Sequence, residues 1–486
     1  MKALNPPLRN TMLALLVLAI LVIPINFTRA QQGKQAVPNL AGFPDPSGVV
    51  RTFSQNGDID LTNPFFQSLG TNGRSCATCH QPGDAMSVAA EHVQARFDSS
   101  NGLDPIFRTN DGSNCDHNID VSTLAGRSAA YSLLRTRGLF RVALDVPVTR
   151  DFDIVSVANP YGCNETNSIS MYRRPLPGAN LRFLSALMFD GRESSSQTGT
   201  TPISSSNYPQ SLLDDLAHQA VDATLGHAQG QAPGLTATQQ QAIVALETSL
   251  FTGQAEGNGT GNLNARGALG GPQAISQQRF FIGINDPVGL DPTNPVPFSF
   301  STRIFTIFDA WQDHGNPHQQ AIARGQAIFN NKTFTITGVP GLNGTTFPNG
   351  VTGPQTIVSG CGICHNTPNV GNHSIAAPLD IGVADPPGGG NALDTSYLPV
   401  ITICQRPALT TCVRTTDPGR AMITGQFSDI GKFKGPILRG LAARAPYFHN
   451  GSAQSLMDVV DFYDLRFSIN FTAQEKSDLV AFLAAL

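Results

Sequence analysis

Apolar residues recur at helical spacing in only a few windows of this chain, and those windows set the first expectations about its architecture. Over residues 211–225, Leu212, Leu213, Leu216, Ala220 and Ala223 fall on one side of a predicted helix. Thr236 with Gln239 three positions later makes a capping box that opens a second helix through QQQAIVALETSLF. A third is expected over 318–330, and Thr472 with Glu475 caps a terminal helix whose Leu479, Phe482 and Leu483 form one apolar face. The stretch IFTIFDAWQD around Trp311 reads as core packing. Strand alternation is not evident, so the expected class is mainly α. Residues 253–271, GQAEGNGTGNLNARGALGG, read as a linker or surface loop. At the N-terminus, Lys2 and Arg9 precede an apolar run over 12–25, and Thr28-Arg29-Ala30 resembles a small-residue cleavage site. Residues 1–30 are therefore expected to be a signal peptide leading to the periplasm, the apolar run being too short to span a membrane comfortably, with an uncleaved anchor as the alternative and no later span.

Composition narrows the class. With 47 glycines, 34 prolines and 14% charged residues the chain is loop-rich, and a net charge of -4 gives no footprint for nucleic acid. Eight cysteines divide into two sets of four. Cys115, Cys163, Cys404 and Cys412 suit disulfides in an oxidising compartment, and the nearest pairs in sequence, Cys115 with Cys163 and Cys404 with Cys412, are one of three connectivities.

The other four carry the chemistry. Cys76-Ala-Thr-Cys79-His80 and Cys361-Gly-Ile-Cys364-His365 each read as a covalent c-type haem attachment site, in which two thiols tether the ring and the adjacent imidazole binds its iron. A shared zinc site is the competing reading. The distance between the pairs and the histidine directly after each favour two haems. A short helical segment, NPFFQSLGTNGRSCATCH, runs into the first motif, and the 318–330 helix leads toward the second, a weak internal duplication.

With Phe189-Asp190-Gly191-Arg192 between the two motifs and Ala445-Pro446-Tyr447-Phe448-His449-Asn450-Gly451-Ser452 after them, the chain resembles the bacterial di-haem cytochrome c peroxidase and MauG superfamily. The resemblance implies two cytochrome c-like domains, an N-terminal one over 31–270 and a C-terminal one over 318–486, joined by a 271–317 segment. Calcium between the haems is a further implication, and long insertions are expected around 85–180 and 193–210. It assigns His80 to a peroxide-reacting haem and His365 to a second haem for electron transfer or charge storage. The second haem's distal ligand in this family lies fourteen residues beyond the PYFH histidine, which gives Tyr463, as in MauG-like members, where peroxidases have Met. Met457 and Met422 are rivals for that position.

Departures from the family pattern concern the distal residues. The family's Gln and acid/base Glu correspond to Gln219 and Gln229, and a glutamine cannot shuttle a proton at ordinary pH. His227 has three open roles: the replacement acid/base group, the sixth ligand of the first haem, or an exposed loop histidine. His218 reads as helix surface, while His92 and His117 are ligand candidates without a motif. The inter-haem tryptophan is Phe189 here, a poorer relay for charge. His449 and Pro446 match the loop near the haems and calcium, but Arg444 stands where Thr is common. Residues 110–120, NDGSNCDHNID, are rich in oxygen donors and read as an Asx-turn loop or a separate calcium site.

The resulting expectation is a periplasmic, MauG-like oxidoreductase. It would use hydrogen peroxide to oxidise a partner protein, such as a small cytochrome or cupredoxin, or an organic substrate. The alternatives are a cytochrome c peroxidase proper, a non-catalytic electron-transfer cytochrome, and an oxygenase.

Overall fold

The computed structural model describes residues 35–194, 207–287, 300–347, 350, 352–375, 377–389 and 393–486. The expected signal peptide and most of the 193–210 insertion lie outside the described residues. Ala36–Leu486 forms one compact unit.

All four helices expected from periodicity are present. They run over Gln210–Gly226, Ala237–Ser249, Pro317–Asn331 and Ala473–Ala484, and both expected capping boxes form. The Pro317–Asn331 and Ala473–Ala484 helices pack on each other and, with Leu456–Phe467, enclose the largest core. Trp311 belongs to it, stacked on Phe308 at 4.9 Å, as its apolar neighbours predict. Gly325 permits the helix crossing, because a Cβ there would lie 2.0 Å from the Asp478 carbonyl oxygen. Arg324 then grips the Asp478 carboxylate through two 2.8 Å bonds.

The class is not mainly α. Helix accounts for about 30% and strand for about 18%, which makes the fold mixed α and β. Residues 253–271 are no linker at their start. Leu250–Gly257 is an inner strand of an antiparallel four-stranded sheet, paired with Gly48–Ser54 on one side and Gly261–Asn262 on the other. Its first six residues are all buried, so the period-two alternation of a half-exposed strand is missing, and its small residues look like a loop.

The 85–180 insertion contributes further strands. Phe140–Asp145 pairs with Ser168–Arg173, while Phe152–Ala158 joins Val400–Gln405 and Cys412–Thr415 in a three-stranded sheet that ties the insertion to the second half. Cys404 and Cys412 are directly opposed in that sheet and disulfide-bonded, and Cys115 is bonded to Cys163. Cys76, Cys79, Cys361 and Cys364 remain free.

Candidate haem centres

Each attachment motif opens on a single 3-10 turn, Cys76–Thr78 and Cys361–Ile363, which brings its two cysteines and the following histidine together. His80 Nδ1 donates to the Met86 carbonyl at 3.0 Å, and His365 Nδ1 donates to the Gly371 carbonyl at 2.7 Å. The same arrangement, six residues downstream in both cases, fixes the tautomer and leaves Nε2 as the free ligand atom. Gly178 makes room at the first centre, where a Cβ would come within 3.2 Å of the His80 ring. Burial pushes the thiols up, to about 12 for Cys76, Cys361 and Cys364 and about 11 for Cys79. Among the described residues the four cysteines do not gather into one metal-ligating cluster, as a shared zinc site would require, and each pair keeps its own histidine. The donor set therefore fits haem at both motifs.

A turn over residues 226–229 docks on the loop that precedes Cys76. Asn72 Nδ2 donates to the His227 carbonyl at 2.8 Å, and Thr71 donates to the Gln229 carbonyl through N at 3.3 Å and Oγ1 at 3.0 Å. Gln229 is exposed, and Gln219 is half-buried on the Gln210–Gly226 helix. The organised polar group is His227, whose Nδ1 donates to Asp111 Oδ2 at 2.5 Å while its ring stays half-exposed. Asp111 also pairs with the buried Arg74. Burial raises the Asp111 carboxyl, but the His227 and Arg74 contacts outweigh it and hold the group below the ordinary carboxylate value. Burial lowers the His80 imidazole more than its bond to the Met86 carbonyl raises it, and the proximity of His227 adds to the lowering.

Asp111 and Arg74 were not singled out by the sequence patterns. Asp111 lies within the 110–120 loop, which stood out for its oxygen donors and not for any link to His227. The other histidines of this half are hydrogen-bonded to carboxylates: His92 to Asp84, His117 to Asp116 at 2.8 Å, and His218 to Glu193 at 2.7 Å.

The second centre is a cavity with Cys361, Cys364, His365 and Tyr463 on its wall. The Tyr463 and His365 rings are 6.5 Å apart at 75°, and burial raises the phenol above its ordinary value. Of the rivals, Met457 is 37% exposed on the outer side of its helix, and Met422 belongs to a separate core cluster with Phe152 and Ile403.

The same cavity reaches Phe189 and His449. His449 is sandwiched: Phe433 stacks on it at 4.0 Å, and Phe189 meets it edge-on at 5.9 Å. Burial lowers its pKa to about 4, so the ring is neutral, and Nε2 lies 3.8 Å from Asp417 without a hydrogen bond. Asp417 is held instead by Arg173, at 2.6 and 2.8 Å, and Arg173 also pairs with Asp190 of the FDGR segment. The Arg444 carbonyl accepts from Arg174 Nη2 at 2.9 Å.

No family model matches the chain. It is 43% identical over 81 residues to cytochrome-c peroxidase IdrP1 of Pseudomonas sp. (strain SCT), covering 14% of this chain and 21% of that protein. It is 33% identical over 129 residues to cytochrome c551 peroxidase of Nitrosomonas europaea, covering 26% of this chain and 30% of that protein. The chain thus spans less than a third of the curated relatives it matches. A crystal structure of a MauG-like protein associated with microbial copper homeostasis covers 88% of both chains at 16% identity, with a TM-score of 0.35, too low to establish a shared fold. Over the matched segments the chain is related to the cytochrome c peroxidases, in agreement with the superfamily its motifs resemble.

Proposed function

We propose that the chain carries two covalent c-type haems, one on Cys76, Cys79 and His80 and one on Cys361, Cys364 and His365, and that it is a MauG-like oxidoreductase using hydrogen peroxide. The observation that carries the MauG-like reading is Tyr463 facing His365 in one cavity while both methionine rivals lie elsewhere. Bound haem iron supplies the peroxide-binding and electron-accepting chemistry.

The chain's residues do the rest. His80 and His365 would hold the two irons through Nε2, and Tyr463 would hold the second through its phenol oxygen. His227 handles the proton. Asp111 holds its Nδ1–H, so Nε2 is left to take a proton from peroxide and return it to the leaving oxygen, and the half-exposed ring can exchange with water. Gln229 serves that turn through its carbonyl rather than its side chain. Phe189 and the neutral His449 fill the space between Asp190 and the second cavity with apolar surface and keep water out.

The electron source is a small cytochrome or cupredoxin, or an oxidisable protein or organic substrate. A periplasmic location is supported by the leader-like residues 1–30 and by the two disulfides. No described helix is long and apolar enough to cross a membrane. Calcium has no place in this proposal. The Arg444 carbonyl is taken by the Arg174 guanidinium, and two cations make that corner unfavourable for a third.

The test is the visible and near-infrared absorption of the purified diferric protein before and after one equivalent of hydrogen peroxide. A rapid change with a new near-infrared band is expected. An unchanged low-spin spectrum would leave the second reading, an electron-transfer cytochrome, which the exposed Gln229 and the non-oxidisable Phe189 favour.

A further inference from the structure

The second cavity has an electrostatic peculiarity that haem attachment and iron ligation do not use. Its wall includes Arg174, Lys434 and Arg444 but not one Asp or Glu. Arg174 and Lys434 are 7% and 4% exposed, and burial lowers all three cations, Arg174 to about 9, Lys434 to about 8 and Arg444 to about 10. None has a carboxylate within ion-pair distance among the described residues. Arg174 donates only to the Val88, Arg137 and Arg444 carbonyls, and Arg444 donates to the Ile437 carbonyl at 2.8 Å with its Nε unpartnered. The Arg444 charge moreover lowers Arg174 further. Asp190, whose charge acts on Lys434, is already committed to Arg173 and Arg192.

Elsewhere this protein treats buried arginines differently. Arg74 is paired with Asp111, and Arg173 with both Asp190 and Asp417. Arg439 is buried with only a carbonyl partner too, but it lies outside the cavity wall. Buried cations without anions are costly, and a cavity that gathers three of them is organised for a ligand that brings the negative charge.

The geometry points to Arg174, Lys434 and Arg444 as a carboxylate-binding end of the second cavity, occupied by the propionates of the haem that Cys361 and Cys364 hold. This rests on the haem reading above. The body of the wall is apolar, with Phe329, Ile363, Leu379 and Val460 among its residues, which suits a flat hydrophobic ring. A c-type haem is tethered through its vinyl edge and carries its two carboxylates on the opposite edge. A cationic patch remote in sequence from the CGICH turn is what such a ligand requires.

The test uses the full-length holoprotein and reads the second haem's midpoint potential by spectroelectrochemistry. Haem on the 361–365 peptide is counted independently by mass spectrometry. Removing a buried positive charge beside the haem carboxylates makes the reduced state less favourable. Lys434→Met is therefore expected to shift the reduction equilibrium about tenfold toward the ferric form, 59 mV for a one-electron couple, while Lys434→Arg stays near the parent. Arg444→Met is read in the same way and decides the matter if Lys434→Met does not fold. Haem present on the peptide with unchanged potentials in both methionine variants would overturn the inference and leave the haem reading standing. No haem on that peptide in the parent protein would overturn the haem reading itself.

Discussion

Replacing Asp111 with Asn separates the roles of the Asp111 carboxylate. In the parent, Asp111 joins buried Arg74 to His227. Asn keeps one oxygen acceptor but loses the charge, so Arg74 falls back on the carbonyls of Pro105 at 2.9 Å, Ile106 at 2.6 Å and His227 at 3.2 Å. Breaking a buried pair costs about 3–5 kcal/mol where nothing replaces it. With three carbonyls remaining, a loss of about 2–3 kcal/mol is expected in urea unfolding. The Asp111 carboxyl is lowered on folding, so its stabilisation is present above the unfolded carboxylate pKa and is lost as pH falls through the folded value. The difference between parent and D111N should therefore shrink on acidification below about pH 4. Orientation of His227 is lost as well, and the peroxide reaction followed by stopped-flow should slow by about 10²-fold or more. A D111N protein with parental stability and an unchanged rate of reaction with peroxide would refute the assignment of Asp111 as the residue that positions His227.

The remaining expectations can be checked separately. Tyr463→Phe should alter the ferric spectrum of the second haem while Met457→Leu leaves it unchanged; the reverse pattern would move the ligand to Met457. Reducing Cys115–Cys163, which closes a separation of 48 residues, should cost about 4 kcal/mol in calorimetry, against about 2.5 kcal/mol for Cys404–Cys412 with its separation of 8. Glu247 is buried with Oε2 unpartnered, and burial raises it to about 8. Its neutral form is favoured on folding, so stability falls as pH rises from about 4.3 toward 8, and Glu247→Gln should gain about 3 kcal/mol at pH 7 and little at pH 4. Dialysis against EDTA should leave the melting temperature and the peroxide-induced spectrum unchanged, and a loss restored by calcium would count against the Arg174 and Arg444 corner.

What the sequence made legible follows from the range of the interactions. Caps and helical periodicity are local, and Thr236, Thr472 and the Leu479 face placed their helices within a residue or two. The haem motifs are local for the same reason. The strands depend on partners far away in sequence. Phe152–Ala158 is explained by Val400–Gln405, and Leu250–Gly257 is hidden because glycine and alanine fill a strand buried along most of its length. Among the site residues, His227 was noticed for its spacing from Gln229, but Asp111 and Arg74 could not be tied to it, since they reach it across more than a hundred residues of chain. Of the three unpaired cations, Arg444 stood out only as a departure from the family loop, and Arg174 and Lys434 had no pattern at all. A buried charge without a partner becomes visible only when its neighbours are known.

The sheet that ties the 85–180 insertion to the second half bears on how this protein can be cut. A fragment beginning near residue 318 would lose Phe152–Ala158 and leave Val400–Gln405 as a bare edge. Its Asp417 would also lose Arg173, the cation that neutralises it in the intact chain. Such a fragment would present an unpaired template for intermolecular strand addition together with an uncompensated acid. Biochemical dissection of the two proposed haem centres is therefore better done by substituting the motif cysteines in the whole chain than by truncation.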